Sequence, residues 1–409
     1  MIGDFISRVE SALKAIEDFP RREVSIFHHN DCDGLTSGAV VEETFRRKGY
    51  VTKRYCLEKP YPPLLERVFS QSGELIVFAD FAGRIAPLIS RLNGGKNLTI
   101  ILDHHVAEEA TDPMVFNLDP SLYGLKGDRD ITASTTCYLF SKAWDENNID
   151  LCRPAALGAV GDGFFVDGRL VDENRNVVMD AVKQGYMEIV KKEWGEEYLI
   201  HYGTKSYKCR ELGSYLDTLG GVGYQDGGPD TGVEVALGGP GETSDRRVKR
   251  LRVLQEEIFE RETERLKSGA LKKTKHIQWF NLGNRFSPMG VKMVGVFCEK
   301  LKGEEFISDN RYIAGFQEIP GEIPKFGKLD MHHTKVSMRV PSKIREKIIR
   351  KQIPGLDYLL PEATGRLGGF SDACHSLTAA TVVEIGQEEA LVMEMEKILE
   401  EEKGFKEEF

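Results

Sequence analysis

Short apolar runs alternate with stretches of helical periodicity through the first part of the chain. Val24–Phe27 leads into a helix over Leu35–Arg47, Val51–Cys56 into one around Leu64–Phe69, and Leu75–Ala79 into Ile85–Leu92, while Leu98–Leu102 precedes Met114–Asn117. This alternation predicts an α/β fold with a doubly wound parallel sheet. Helical patterns follow over Ser134–Asn147, Arg153–Gly161 and Asn174–Glu193. The glycine-rich segment Gly220–Gly241 reads as a turn-rich loop. Its amides could cradle a phosphate, but no GxxxxGK[ST] is present. Asp245–Lys267 is a charged helix with Leu251, Leu254, Ile258 and Leu266 as its apolar positions, capped by Ser244 or Asp245. Beyond it, strands over Gly290–Phe297, Arg311–Phe316 and Lys335–Val340 mix with helices over Ser342–Lys351 and Gln387–Lys403. The expected organisation is a doubly wound domain over 1–244, a connecting helix over 245–268, and a smaller α/β domain over 269–409.

Composition narrows the class. A chain of 409 residues with formal net charge −10 carries no overall basic field, although a local groove decides nucleic-acid binding rather than the total. The seven cysteines are scattered and form no CxxC, which points to a reduced, cytoplasmic chain rather than a zinc ribbon or disulfide framework. The charged amphipathic start, Met1 to Glu23, lacks a signal h-region, and no apolar run would span a bilayer, so no membrane role is expected.

The candidate chemistry lies where the apolar runs end. Asp103-His104-His105 follows Leu98–Leu102, and His29-Asn30-Asp31-Cys32-Asp33-Gly34 follows Val24–Phe27. Asp80 follows Leu75–Ala79, and Asp162 follows Leu157–Gly161. In open α/β sheets ligands bind at the carboxyl ends of the strands. A lone aspartate there is often a helix cap; four clusters at corresponding edges point to a two-metal hydrolase site. Asp80 suits a ligand bridging two divalent ions. His29, Asp31 and Asp33 alternate along one loop, so that the first two face one ion and the third the other. His104 or His105, with Asp162, completes the second, and Asp103 orients an imidazole by hydrogen bonding. Imidazole and carboxylate ligands together favour Mn2+, with Mg2+ or Co2+ as alternatives. Cys32 and His28 read as packing residues. Phe164-Phe165 could stack bases, whereas Trp279-Phe280 suits a core and His332-His333 a solvated loop.

These motifs resemble the DHH phosphoesterase superfamily, especially its RecJ-like branch and the archaeal RecJ-like nucleases. The resemblance rests on His29-Asn30-Asp31-Cys32-Asp33-Gly34, Asp80, Asp103-His104-His105 and Gly161-Asp162-Gly163. It implies that His29, Asp31 and Asp80 hold one Mn2+, that Asp33, Asp80, His104 and Asp162 hold the other, and that His105 faces the scissile phosphate. The C-terminal region resembles a DHHA1 substrate domain. The matching residues are Ser337-Met338-Arg339, Gly365 to Phe370, and Ala373 to Ala380. Phe370 stands where that family has a histidine, and His375 is the candidate replacement. The implied strand-binding residues are Ser337, Arg339, Arg366, Gly368, Gly369 and His375, the glycines letting amides approach a phosphate at a helix N-terminus.

The expected activity is exonucleolytic hydrolysis of single-stranded DNA or RNA to 5′-mononucleotides, with a replication or repair protein as a further partner. Competing expectations are a phosphodiesterase for short oligonucleotides or cyclic dinucleotides, a family II-type pyrophosphatase, and a Cdc45-like replication scaffold with little activity.

Overall fold

The computed structural model describes residues 2–371 and 374–407, with side chains as far as 401. Ala373 of the C-terminal signature lies outside the described residues. The chain divides into two compact units, Met1–Leu251 with Pro324–Gly327, and Arg252–Ile323 with Lys328–Phe409.

The first unit opens with helix α1 (Ile2–Asp18), followed by β1 (Glu23–His28), α2 (Cys32–Arg47), β2 (Val51–Cys56), α3 (Pro62–Val68), β3 (Leu75–Ala79), α4 (Ala86–Asn93), β4 (Leu98–Leu102) and β5 (Val115–Asn117). The five strands form one parallel sheet in the order β2-β1-β3-β4-β5. β3 and β4 are apolar runs because every residue in them is buried. His28 pairs with Ala79 and Ala79 with Leu102, so the next residues, His29, Asp80 and Asp103, leave the sheet at one level. The chain order reverses between β1 and β3, the crevice where such sheets bind ligands.

Helices α5 (Ala133–Trp144) and α6 (Cys152–Asp162) pack against α2. The segment expected to be one helix over Asn174–Glu193 is two elements, α7 (Asp172–Lys183) and the strand β6 (Met187–Lys192). Gly185, at φ +73°, breaks the helical path between them. β6 pairs with β7 (Gly195–Tyr202), and β7 with β8 (Lys205–Lys208), in an antiparallel sheet that the periodicity concealed. After α8 (Cys209–Asp217), the glycine-rich segment is no loop. It forms one wide helical turn over Thr218–Val222, a tight one over Tyr224–Asp226, and then α9 (Gly228–Gly238). Its glycines serve close packing rather than a phosphate: a Cβ on Gly220 would lie 1.7 Å from the Asn30 carbonyl oxygen, and Asn30 Nδ2 donates to the Gly220 carbonyl at 3.1 Å.

Helix α10 (Glu242–Arg265) starts ahead of both expected caps, and the division between the units falls within it. Ser244 Oγ nonetheless accepts from the Gly241 amide at 2.9 Å. In the second unit come β9 (Lys272–Lys273), β10 (Ile277–Asn281), α11 (Met293–Leu301), β11 (Tyr312–Glu318), β12 (Glu322–Ile323), β13 (Gly327–Lys328, whose glycine counts with the first unit) and β14 (His333–Arg339). α12 (Ser342–Ile349), α13 (Leu356–Arg366), β15 (Phe370–Ser371), β16 (Thr378–Glu384) and α14 (Glu388–Glu407) complete it. Six strands form a sheet in the order β15-β16-β14-β11-β10-β9, with β10 and β11 its parallel pair. The strand expected over Gly290–Phe297 is helix α11. Its buried Met293, Val294, Phe297, Cys298 and Leu301 follow helical spacing, which a short apolar run does not reveal. Trp279 and Phe280 are buried, as packing residues are. Among the described residues no helix is long and apolar enough to cross a membrane.

Candidate metal centre

Asp31 caps α2, its Oδ1 accepting from the Gly34 amide at 3.0 Å. That leaves Oδ2 beside His29 Nδ1, 2.9 Å away. Asp33, in the first turn of α2, is buried and accepts the Ala133 and Ser134 amides at 2.8 and 3.1 Å. Those amides belong to the N-terminus of α5, where a carboxylate is stabilised. Asp80 holds a left-handed φ of 68°. Its Oδ2 is 3.4 Å from His29 Nδ1 and its Oδ1 3.5 Å from His104 Nε2. Asp162, the last residue of α6, brings Oδ2 to 3.5 Å from the same His104 nitrogen.

His104 is fixed from behind. Its Nδ1 lies 2.8 Å from the carbonyl oxygen of Gly127. A carbonyl only accepts, so Nδ1 carries the hydrogen and Nε2 is the atom turned toward Asp80 and Asp162. Asp103 is buried and accepts from the Gly83 and His104 amides, each at 2.8 Å, and from His105 Nδ1 at 2.7 Å. The imidazole that Asp103 orients is therefore that of the half-exposed His105; His104 has the Gly127 carbonyl for that purpose.

The donor atoms fall into three overlapping groups, each of which could hold a metal ion. His29, Asp31 and Asp80 form one, Asp33, His104 and Asp162 a second, and Asp80, Asp103, His104 and His105 a third, the ligand atoms within each lying within 4.8 Å of one another. Asp162 Oδ2 is buried and makes no hydrogen bond. A buried acceptor without a donor is costly, and a cation would satisfy it. The electrostatics agree. Burial raises the Asp162 carboxyl to about 7 against the pull of His104, with Asp80 and Asp31 adding repulsion. Burial and the neighbouring Asp162 and Asp80 push Asp33 well up. Burial opposes protonation of His29, yet Asp31 and Asp80 together outweigh it and raise the imidazole to about 9. Carboxylates crowded in this way are relieved by a divalent ion.

Several supporting residues had no signal in the sequence. Gly127, Ala133 and Ser134 act through backbone atoms, which residue type does not encode. Asp217 is another, its Oδ1 accepting the Cys32 amide at 3.0 Å within the ligand-bearing loop. His28 is fully buried against Gly38, and Cys32 is buried against Gly161.

In the second unit, Ser337 and Arg339 lie on β14, but Ser337 is buried, its hydroxyl against Gly295 of α11, and is not placed to meet a strand. Arg339 pairs with Thr378 of β16, whose carbonyl accepts the amide of exposed His375 at 2.8 Å, so Arg339 and His375 share one end of the sheet. Arg366 is elsewhere, spread over Glu362, Glu394 and Glu401 at 3.2, 3.7 and 3.4 Å. Gly368 and Gly369 follow the C-terminal end of α13, not a helix N-terminus, and their amides donate to the Gly365 and Thr364 carbonyls. They offer no amide to a phosphate. His332 is exposed, in keeping with a solvated position, whereas His333 begins β14.

No family model matches the chain. An uncharacterized protein of Methanocaldococcus jannaschii is 26% identical over 195 residues, covering 45% of this chain and 43% of the relative. RecJ of Thermus thermophilus, solved with Mn2+, superposes with a TM-score of 0.62 at 14% identity over 96% of this chain and 55% of its own. An exonuclease RecJ bound to manganese gives 0.59 at 16% identity, covering 96% and 94%. CDC45 from Entamoeba histolytica gives 0.57 at 8% identity, covering 97% and 98%. The chain thus spans less than half of its M. jannaschii relative and about half of the Thermus RecJ chain, and it has a RecJ-like, DHH-type fold.

Proposed function

We propose that the protein is a metal-dependent phosphodiesterase that removes 5′-mononucleotides from single-stranded DNA or RNA. The observation that carries this is the position of Asp80, with one carboxylate oxygen toward His29 and the other toward His104. A shared carboxylate is what a pair of divalent ions needs. His29, Asp31 and Asp80 would hold one ion, and Asp33, Asp80, His104 and Asp162 the other. The mixed imidazole and carboxylate donors favour Mn2+, and the manganese-bound RecJ structures support that choice. The bound ions would supply an activated water and neutralise charge growing on the phosphate.

The chain's own residues do the rest. The Gly127 carbonyl keeps the His104 hydrogen on Nδ1, and the α5 amides fix Asp33. Asp103 holds His105 by its Nδ1, leaving the opposite edge of the ring to donate to a phosphate oxygen. Arg339 and His375 would grip the strand backbone, where guanidinium–phosphate contacts are strong. The likeness to CDC45 supports a replication or repair protein as a further partner, while the complete donor set favours catalysis over a scaffold alone.

Single strands labelled at either end, as DNA and as RNA, incubated with Mn2+, Mg2+ or EDTA, test the proposal. Mononucleotides should accumulate with Mn2+ and not with EDTA. Cleavage confined to dinucleotides or cyclic dinucleotides would move the assignment to a small-nucleotide phosphodiesterase; no cleavage of any of them would refute it.

A further inference from the structure

The turn between β6 and β7 is joined to the loop that follows Asp162. The Glu196 amide donates to the Gly168 carbonyl at 2.9 Å. The backbones approach so closely that a Cβ on Gly168 would lie 2.3 Å from the Trp194 carbonyl oxygen. On this joint stands a column of flat groups. Phe165 stacks on Tyr198, ring centroids 6.1 Å apart and planes at 27°. The Arg210 guanidinium lies 4.2 Å from the Phe165 ring centre and 5.4 Å from that of Trp194. Trp194 ends the column and is 55% exposed. Among the described residues no carboxylate pairs with Arg210. The adjacent Phe164 ring is 6.0 Å from that of His104, at the metal centre itself.

A large, half-exposed aromatic ring on a turn tied to the loop after Asp162, with a cation beside it that no carboxylate among the described residues pairs, matches what unpaired nucleobases stack on. We propose that Trp194, backed by Arg210 and Phe165, is a stacking platform for one base of the bound strand, with Phe164 bordering the base nearest the metal centre. The inference rests on the polynucleotide reading above and names residues that would select single strands, because both faces of a base are covered in a duplex.

The test reads binding without hydrolysis. The chain has three tryptophans, and Trp194 is the one among the exposed large hydrophobic residues. Titration of the full chain with oligothymidylate in EDTA should quench tryptophan emission, and Trp194→Phe should remove the quench while the protein still binds. Trp194→Ala should weaken binding about tenfold, with circular dichroism unchanged. A strand made abasic at the stacked position should bind the wild type and Trp194→Ala equally. Emission unmoved at saturation, or normal binding by Trp194→Ala, overturns the platform. Strand cleavage in Mn2+ is read separately. Quenching without cleavage keeps the platform and refutes the nuclease; cleavage without quenching does the reverse; a protein that binds no strand refutes both.

Discussion

His104 Nδ1 and the Gly127 carbonyl oxygen stand 2.8 Å apart, and this contact decides which imidazole nitrogen faces the carboxylates. The Gly127 position has no room for a side chain, since a Cβ there would lie 1.4 Å from the His104 carbonyl oxygen. Gly127→Ala should therefore displace His104 without removing any ligand. Loss of such an orienting partner costs roughly 10–100-fold in metal affinity. Calorimetric titration with Mn2+ checks this, and unchanged affinity would show that the Gly127 contact does not set the His104 ligand.

Asp80 combines two properties that substitution separates. Its carboxylate faces both donor groups, and its φ of 68° is one that glycine adopts without strain. Asp80→Gly should abolish Mn2+-dependent hydrolysis, yet unfold in EDTA at the same or a higher temperature than the wild type, since a left-handed non-glycine residue costs on the order of 1 kcal/mol. Asp80→Asn should be equally inactive without the backbone gain. Turnover close to wild type in either would remove the shared-ligand assignment.

The pH dependence of stability follows from two raised groups. Asp162, near 7, and His29, near 9, bind protons more tightly in the folded chain than in the unfolded one. Their stabilising contribution is full below the unfolded values of 3.8 and 6.5 and is lost as pH rises through the folded ones. In EDTA the melting temperature should fall between about pH 4 and 9 for these groups, through Asp162 up to about 7 and through His29 up to about 9. Ligands must shed protons to bind a metal, so the rise in melting temperature on adding Mn2+ should grow across the same interval. A Mn2+ effect independent of pH would count against His29 and Asp162 as ligands.

The sheet and the candidate site were legible for one reason. β3 and β4 are covered on both faces, so they read as continuous apolar runs with the bounds Leu75–Ala79 and Leu98–Leu102, and the polar residues that follow mark the sheet's carboxyl edge. What stayed hidden acts through backbone or through ambiguous periodicity. Nothing about Gly127 announces that its carbonyl would fix His104. The apolar run around Val294 fits a strand as well as a helix, and the helical pattern into β6 continued past Gly185, so the turn bearing Trp194 was missed. Gly220 and Gly368 show that glycine pairs mark close packing or a helix end as readily as a phosphate cradle.

The second unit offers a contrast between two arginines. Arg366 is held by three glutamates, whereas Arg339 has Glu299 at 3.5 Å, a carboxylate that also pairs with Lys302. A phosphate would have to displace three partners from the first and one shared partner from the second. Arg339→Ala should therefore weaken hydrolysis of a polynucleotide about tenfold to a hundredfold, the equivalent of a charged hydrogen bond worth roughly 1.5–3 kcal/mol, and leave bis-nitrophenyl phosphate much less affected. The loss should sit in KM if the contact is equal in ground and transition states. Arg366→Ala should spare both substrates and cost only a little stability, since its partners are exposed ion pairs. Steady-state kinetics on the two substrates measure this. Equal loss on both with Arg339→Ala would place that side chain at the reacting phosphate, and a larger polynucleotide defect with Arg366→Ala would reverse the assignment.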